Sequence, residues 1–204
     1  MTKVQTALCN RTALFCYFPL AFFSKMCDNS AKHTSENGDG MEKEELLQRV
    51  FGYSNFRAGQ EKLIDGVLSG QDVFGIMPTG GGKSMCYQLP ALMLPGITLV
   101  ISPLISLMRD QVMALKAAGV PAAFLNSTLT GAQMQAAYRN LLAGRYKIVY
   151  VAPERLDYPG FGAVVEKLNI SFVAVDEAHC ISQWGQDFRP SYLRIVQFID
   201  SLPE

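Results

Sequence analysis

The stretch Pro78-Thr79-Gly80-Gly81-Gly82-Lys83-Ser84 holds the residue types that cradle a phosphate chain. Three consecutive glycines let a backbone turn so that successive N–H groups point inward at phosphate oxygens. A helix that starts at the turn adds the positive end of its dipole. Lys83 then brings a charge to the outer phosphates, and the Ser84 hydroxyl is a ligand for Mg2+. Further along, Phe172-Val173-Ala174-Val175 ends in Asp176-Glu177-Ala178-His179. Acids at the carboxyl end of a buried parallel strand face the crevice where α/β proteins bind ligands. Asp176 is placed to hold Mg2+, usually through water, and Glu177 to orient or deprotonate an attacking water. Met77 stands where the strict GxxxxGK[ST] pattern has glycine.

These residues need a scaffold, and the hydrophobic pattern supplies one. Short apolar runs predict strands at 72–77, 98–102, 122–125, 147–152 and 171–176. Helical spacing predicts helices at 59–69, 83–94, 104–118, 130–143, 160–168 and 192–202, with a further amphipathic segment opening at Met41 and built on Leu46, Leu47, Val50 and Phe51. Near-continuous apolar strands alternating with helices describe a parallel sheet covered on both faces. The expected fold is α/β, a P-loop nucleotide-binding lobe.

Composition agrees with one globular domain and a short appendage. The 204 residues carry 18 Lys+Arg against 18 Asp+Glu, and 49% are apolar. Net neutrality excludes a generic binder of polyanions, though not a local phosphate site, which depends on where charge sits. Five cysteines at irregular spacing, with no CxxC pair, give neither a zinc site nor a disulfide framework and point to a reducing intracellular compartment.

Residues 1–40 read differently from 41–204. The apolar run 13–23 is too short to span a bilayer, so no membrane partner is expected, and the polar stretch 28–40 has the composition of a disordered linker. Residues 1–40 are therefore expected to be a non-native or disordered extension, with an export signal or an accessory segment as the alternatives, and to be dispensable for folding and nucleotide binding if Met41 is the true start.

Pro-Thr-Gly-Gly-Gly-Lys-Ser together with Asp-Glu-Ala-His resembles superfamily 2 helicases, in which the position of Met77 is commonly not glycine. Two further stretches narrow the resemblance to the RecQ family: Phe51-Gly52-Tyr53-Ser54-Asn55-Phe56-Arg57-Ala58-Gly59-Gln60, and the aromatic-rich Cys180-Ile181-Ser182-Gln183-Trp184-Gly185-Gln186-Asp187-Phe188-Arg189-Pro190. Ser102-Pro103-Leu104-Ile105-Ser106-Leu107-Met108-Arg109-Asp110-Gln111 and Ala152-Pro153-Glu154-Arg155-Leu156 resemble two DNA-side motifs of that family.

The resemblance implies a RecA-like lobe of an ATP-dependent 3′–5′ DNA helicase of recombination and repair, with ATP and Mg2+ as cofactors and single-stranded and junction DNA as partner. By resemblance, Tyr53 stacks on adenine, Gln60 reads its edge and Arg57 supports the nucleotide; Phe56, read as a residue alone, is expected to pack under the first helix. The phosphate loop Thr79, Gly80, Gly81, Gly82, Lys83 and Ser84 holds the phosphates, and His179 couples the nucleotide to the aromatic-rich loop. Trp184 and Phe188 are stacking platforms for bases, Arg189 a phosphate or cation–π contact, and Ser102 a DNA contact. The family has His where this chain has Gln186.

By the same resemblance, unwinding takes a second RecA-like lobe with an arginine finger, and an interior strand with a Thr-Ala-Thr-like motif lies between the strands of the phosphate loop and of Asp176. Neither is found in 41–204. The expected consequence is a sheet incomplete toward its carboxyl-terminal end, with unpaired backbone groups on both neighbours of the missing strand and no unwinding by this chain alone. A non-catalytic nucleotide- or DNA-binding remnant and the lobe of another superfamily 2 motor are the alternatives.

Overall fold

The computed structural model describes residues 12–16, 41–78, 80–178 and 193–202. In chain order the elements are β1 (Thr12–Cys16), α1 (Lys43–Leu46, continued by a π-helical turn, Leu47–Phe51), α2 (Gln60–Leu68), β2 (Val73–Ile76), α3 (Met85–Met93), β3 (Ile97–Ile101), α4 (Ile105–Ala117), β4 (Ala122–Leu125), α5 (Gly131–Leu142), β5 (Ile148–Val151), α6 (Pro159–Val165), β6 (Ile170–Val175) and α7 (Leu193–Asp200). The five strands and six helices predicted from 59 onward are all present, each bound within three residues of its expected place.

Local chemistry explains why the elements begin where they do. Thr130 caps α5: its side chain accepts from Gln133 N at 3.3 Å, and Gln133 Oε1 accepts from Thr130 N at 2.9 Å, a reciprocal capping box. Pro159 opens α6 at a position where no backbone donor is lost. At Gly66 a Cβ would lie 2.5 Å from Val73 Cγ1, so glycine is what lets α2 close onto β2.

All pairings are parallel and the sheet order is β2-β1-β6-β3-β5-β4. Alternate residues of the central strands build two separate cores, as the two-residue period of a strand requires. Leu99, Ile101, Val149, Val151, Val173 and Val175 pack with Met134, Phe161, Ile195 and Phe198 from α5, α6 and α7. Val100, Ile148, Tyr150, Phe172 and Ala174 face the other way, onto Cys86 and Tyr87 of α3 and Met108, Val112 and Leu115 of α4. The central strands are thus covered on both faces, whereas Phe74 and Ile76 of β2 are exposed. Every residue of β3 and β5 is buried.

One arrangement differs from the sequence expectation. The place between β2 and β6 is filled by β1, which comes from the segment set apart as an extension. Ala13, Leu14, Phe15 and Cys16 register with Val73, Phe74, Gly75 and Ile76 of β2, while Thr12, Ala13 and Leu14 register with Val173, Ala174 and Val175 of β6. The facing edges of β2 and β6 therefore find a partner within the chain, meeting the demand of backbone N–H and C=O groups for hydrogen bonds.

Candidate functional site

At the carboxyl end of the strands lies an open cavity of about 830 Å³, lined by Tyr53, Arg57 and Gln60, by Pro78, Gly80, Gly82, Lys83 and Ser84, by Pro103 and Leu104, and by Asp176 and Glu177. The two sequence features that could do chemistry therefore share one space. β2 runs straight into the glycine turn, and α3 starts immediately after Ser84, the N–H groups of Met85, Cys86, Tyr87 and Gln88 donating back to the carbonyls of Gly82, Lys83 and Ser84 so that the helix winds directly out of the turn. Gly80 and Gly82 have φ of +76° and +81°, in the left-handed region that glycine enters without cost.

The segment ahead of α2 braces this turn. Gln60, only 4% exposed, accepts from Arg57 N at 2.8 Å through Oε1 and donates from Nε2 to Gly82 O at 3.0 Å and Gly81 O at 3.5 Å. Arg57 Nη1 donates to Gly80 O. A Cβ on Gly82 would come within 2.4 Å of Gln60 Nε2, so the fit demands glycine. Tyr53 is half exposed at the cavity rim. Phe56 packs against the Leu47, Ile64, Met85 and Leu89 cluster with Lys43 Nζ 5.9 Å from its ring centre, the packing role read from sequence.

Across the cavity, Lys83 Nζ lies 3.2 Å from Glu177 Oε1, with both side chains largely buried. Asp176 is 4% exposed, and Glu177 N donates to its Oδ1 at 3.0 Å. Burial first, and then the neighbouring Glu177 charge, push the Asp176 carboxyl up to about 6 against the opposing pull of Lys83 and the Glu177 N–H. Glu177 itself sits at φ +52°, the one non-glycine residue with positive φ among the described residues. Such a conformation costs of order 1–3 kcal/mol and collects at functional sites, where surrounding structure enforces it.

Behind the phosphate loop runs a buried polar chain that the sequence reading missed. Gln88 Nε2 donates to Gln111 Oε1 at 2.7 Å and to Tyr150 Oη at 3.0 Å, and the Tyr150 and Tyr87 hydroxyls lie 3.5 Å apart. Tyr87 in turn hydrogen-bonds Ser84. Burial pushes the Tyr150 hydroxyl up to about 12, keeping it neutral and able to donate. A glutamine inside the otherwise apolar Met85-Cys86-Tyr87-Gln88-Leu89 run was the available signal, because a buried amide needs partners. Cys86 is buried, its thiol pushed up to about 12 by desolvation.

Ser102 is buried one residue beyond β3, its hydroxyl without a hydrogen-bond partner among the described residues. The residues Thr79, His179, Trp184, Phe188 and Arg189 lie outside the described residues, as do Cys180 and Gln186. No three His, Cys, Asp or Glu side chains cluster for a metal among the described residues. A cation here would therefore draw on Ser84, Asp176 and oxygen atoms from ligand and solvent. No helix among the described residues is long and apolar enough to cross a membrane.

Comparison with known proteins adds to this geometry. The sequence model of the DEAD/DEAH box helicase family matches residues 57–204. The chain is 50% identical over 159 residues to the ATP-dependent DNA helicase RecQ of Haemophilus influenzae, covering 78% of this chain and 26% of that protein. It is 53% identical over 151 residues to the protein of the same description from Bacillus subtilis, covering 74% and 26%. The chain thus spans about a quarter of the length of these curated relatives. Among solved structures, a hypothetical ATP-dependent RNA helicase from Sulfolobus tokodaii is similar in fold, with a TM-score of 0.51 and 20% identity over 79% of this chain and 56% of that one.

Proposed function

Since the chain belongs to the DEAD/DEAH box helicase family, we propose that it is the ATP-binding and hydrolysing lobe of a RecQ-type DNA helicase. The observation that carries the reading is the meeting of Lys83 with Glu177 at 3.2 Å in a cavity also lined by Ser84, Asp176, Gln60 and Tyr53. Curated relatives described as ATP-dependent DNA helicases, at about half identity, support the same substrate class.

The residues fit Mg2+. Ser84 and Asp176 offer hard oxygen donors on one cavity, and a buried carboxylate held near a second carboxylate gains from a divalent charge beside it. When bound, the ion neutralises charge on the transferring phosphoryl group. Lys83 exchanges Glu177 for the outer phosphate oxygens, and the released Glu177 orients the attacking water and receives its proton. The glycine turn, with the positive dipole end of α3 behind it, holds the remaining oxygens. Tyr53 stacks on adenine, while Gln60, already anchored to Gly82 O and Arg57 N, keeps an oxygen lone pair for the adenine amino group.

DNA is met by Trp184, Phe188, Arg189 and the Ser102 segment, with His179 coupling the nucleotide state to DNA. The setting is intracellular, and translocation runs 3′ to 5′ with a second RecA-like lobe as partner. A nucleotide-binding chain without turnover is the alternative. Phosphate release with and without single-stranded DNA separates the two. The 204-residue chain is expected to hydrolyse near background and to unwind nothing alone, since an arginine finger contributes about 10³–10⁵ in rate. Adding a second lobe is expected to restore DNA-stimulated turnover that Glu177→Gln removes while leaving nucleotide binding intact. Turnover unaffected by Glu177→Gln would contradict the assignment.

A further inference from the structure

The two halves of the site stand on strands that do not touch. β2 leads into the glycine turn and Lys83, whereas β6 ends in Asp176 and Glu177, and the sheet order places β1 between them. Among the described residues β1 is the sole sheet neighbour of β2. Adjacent strands lie about 4.8 Å apart, so an inserted strand sets β2 and β6 about 10 Å from each other. The Lys83–Glu177 contact at 3.2 Å is made across that interval.

We infer that Thr12–Cys16 acts as an intramolecular donor strand, a positioning element that holds the phosphate loop at working distance from the acidic pair. Without it, β2 is either left on its helix packing alone or shifts one strand spacing to pair with β6. Either change moves Lys83 by several ångströms relative to Glu177. The segment suits the task on its own terms: Thr12-Ala13-Leu14-Phe15-Cys16 has no charge, and Thr and Phe favour strands. Its register is continuous on both sides, with Ala13 and Leu14 paired simultaneously to β2 and β6. Residues 12–16 are thus a requirement for the nucleotide site, contrary to the expectation that residues 1–40 are dispensable. This inference rests on the reading of the cavity as a nucleotide site.

The test uses the intact chain. Hydrogen exchange is expected to protect the amides of residues 13–16 as strongly as those of β2 and β6. Successive residues of an interior parallel strand bond alternately to opposite neighbours, so Ala13→Pro and Leu14→Pro each cut a different edge. Both are expected to weaken binding of a fluorescent ATP analogue at least tenfold and to abolish the gain in affinity that Mg2+ gives, because that gain needs Asp176 and the phosphate loop together. Leu14→Val is expected to behave as the parent. Free exchange at residues 13–16, or proline variants that keep the Mg2+ gain, would overturn the inference. A parent chain that binds no ATP analogue while residues 13–16 stay protected would overturn the proposed function instead.

Discussion

Asp176 carries the sharpest electrostatic consequence at the scale of single residues. Its carboxyl is raised from 3.8 to about 6, chiefly by burial and then by Glu177. Between those pH values the folded chain keeps a proton that the unfolded chain has lost. Stability from this group is therefore present at low pH and falls as pH rises toward 6, reaching a cost of about 3 kcal/mol above it. Asp176→Asn removes that cost. In cation-free buffer its melting temperature should exceed the parent's at pH 8, and the gap should close near pH 4. A gap independent of pH would contradict the buried-charge account. The same substitution should remove the Mg2+ gain in nucleotide affinity, so a stabler protein with a poorer site is the expected signature.

At the scale of elements, the site depends on how α2 and the turn before α3 interlock. Gln60 opens α2 and reaches the carbonyls of Gly81 and Gly82, an approach that leaves no room for a Cβ on Gly82. Gly82→Ala combines a φ of +81° with a 2.4 Å clash against the Gln60 amide. It should lower stability by more than about 1 kcal/mol in urea titrations and weaken nucleotide binding. An alanine variant with parental midpoint and affinity would show that the interlock is unimportant.

Much at this scale was legible in the sequence. Continuous apolar runs mark β2 through β6, and the glycine turn and the acidic pair point to the cavity. What escaped was non-local. β1 is five residues whose pairing is decided by Val73–Ile76 and by Val173 to Val175, far along the chain, so no local pattern in 12–16 announces it. Likewise Gln88 advertises a buried amide, but its partners Gln111 and Tyr150 sit on other elements. The positive φ of Glu177 lies in the turn after β6 and leaves no trace in residue type.

The whole molecule is a neutral α/β lobe in which a cavity of about 830 Å³ gathers chemistry from both sides of an inserted strand. Its zero net charge agrees with the proposal that it meets DNA through a few placed side chains and binds phosphate through backbone dipoles. It spans about a quarter of the length of the RecQ relatives. The central claim is that Lys83 and the glycine turn bind the phosphates of ATP. Equilibrium titration of the 204-residue chain with a fluorescent ATP analogue and Mg2+ tests it most directly. Saturable binding that Lys83→Ala weakens at least tenfold, without changing the fold by circular dichroism, is the predicted result. Equal affinity in the parent and Lys83→Ala would contradict it.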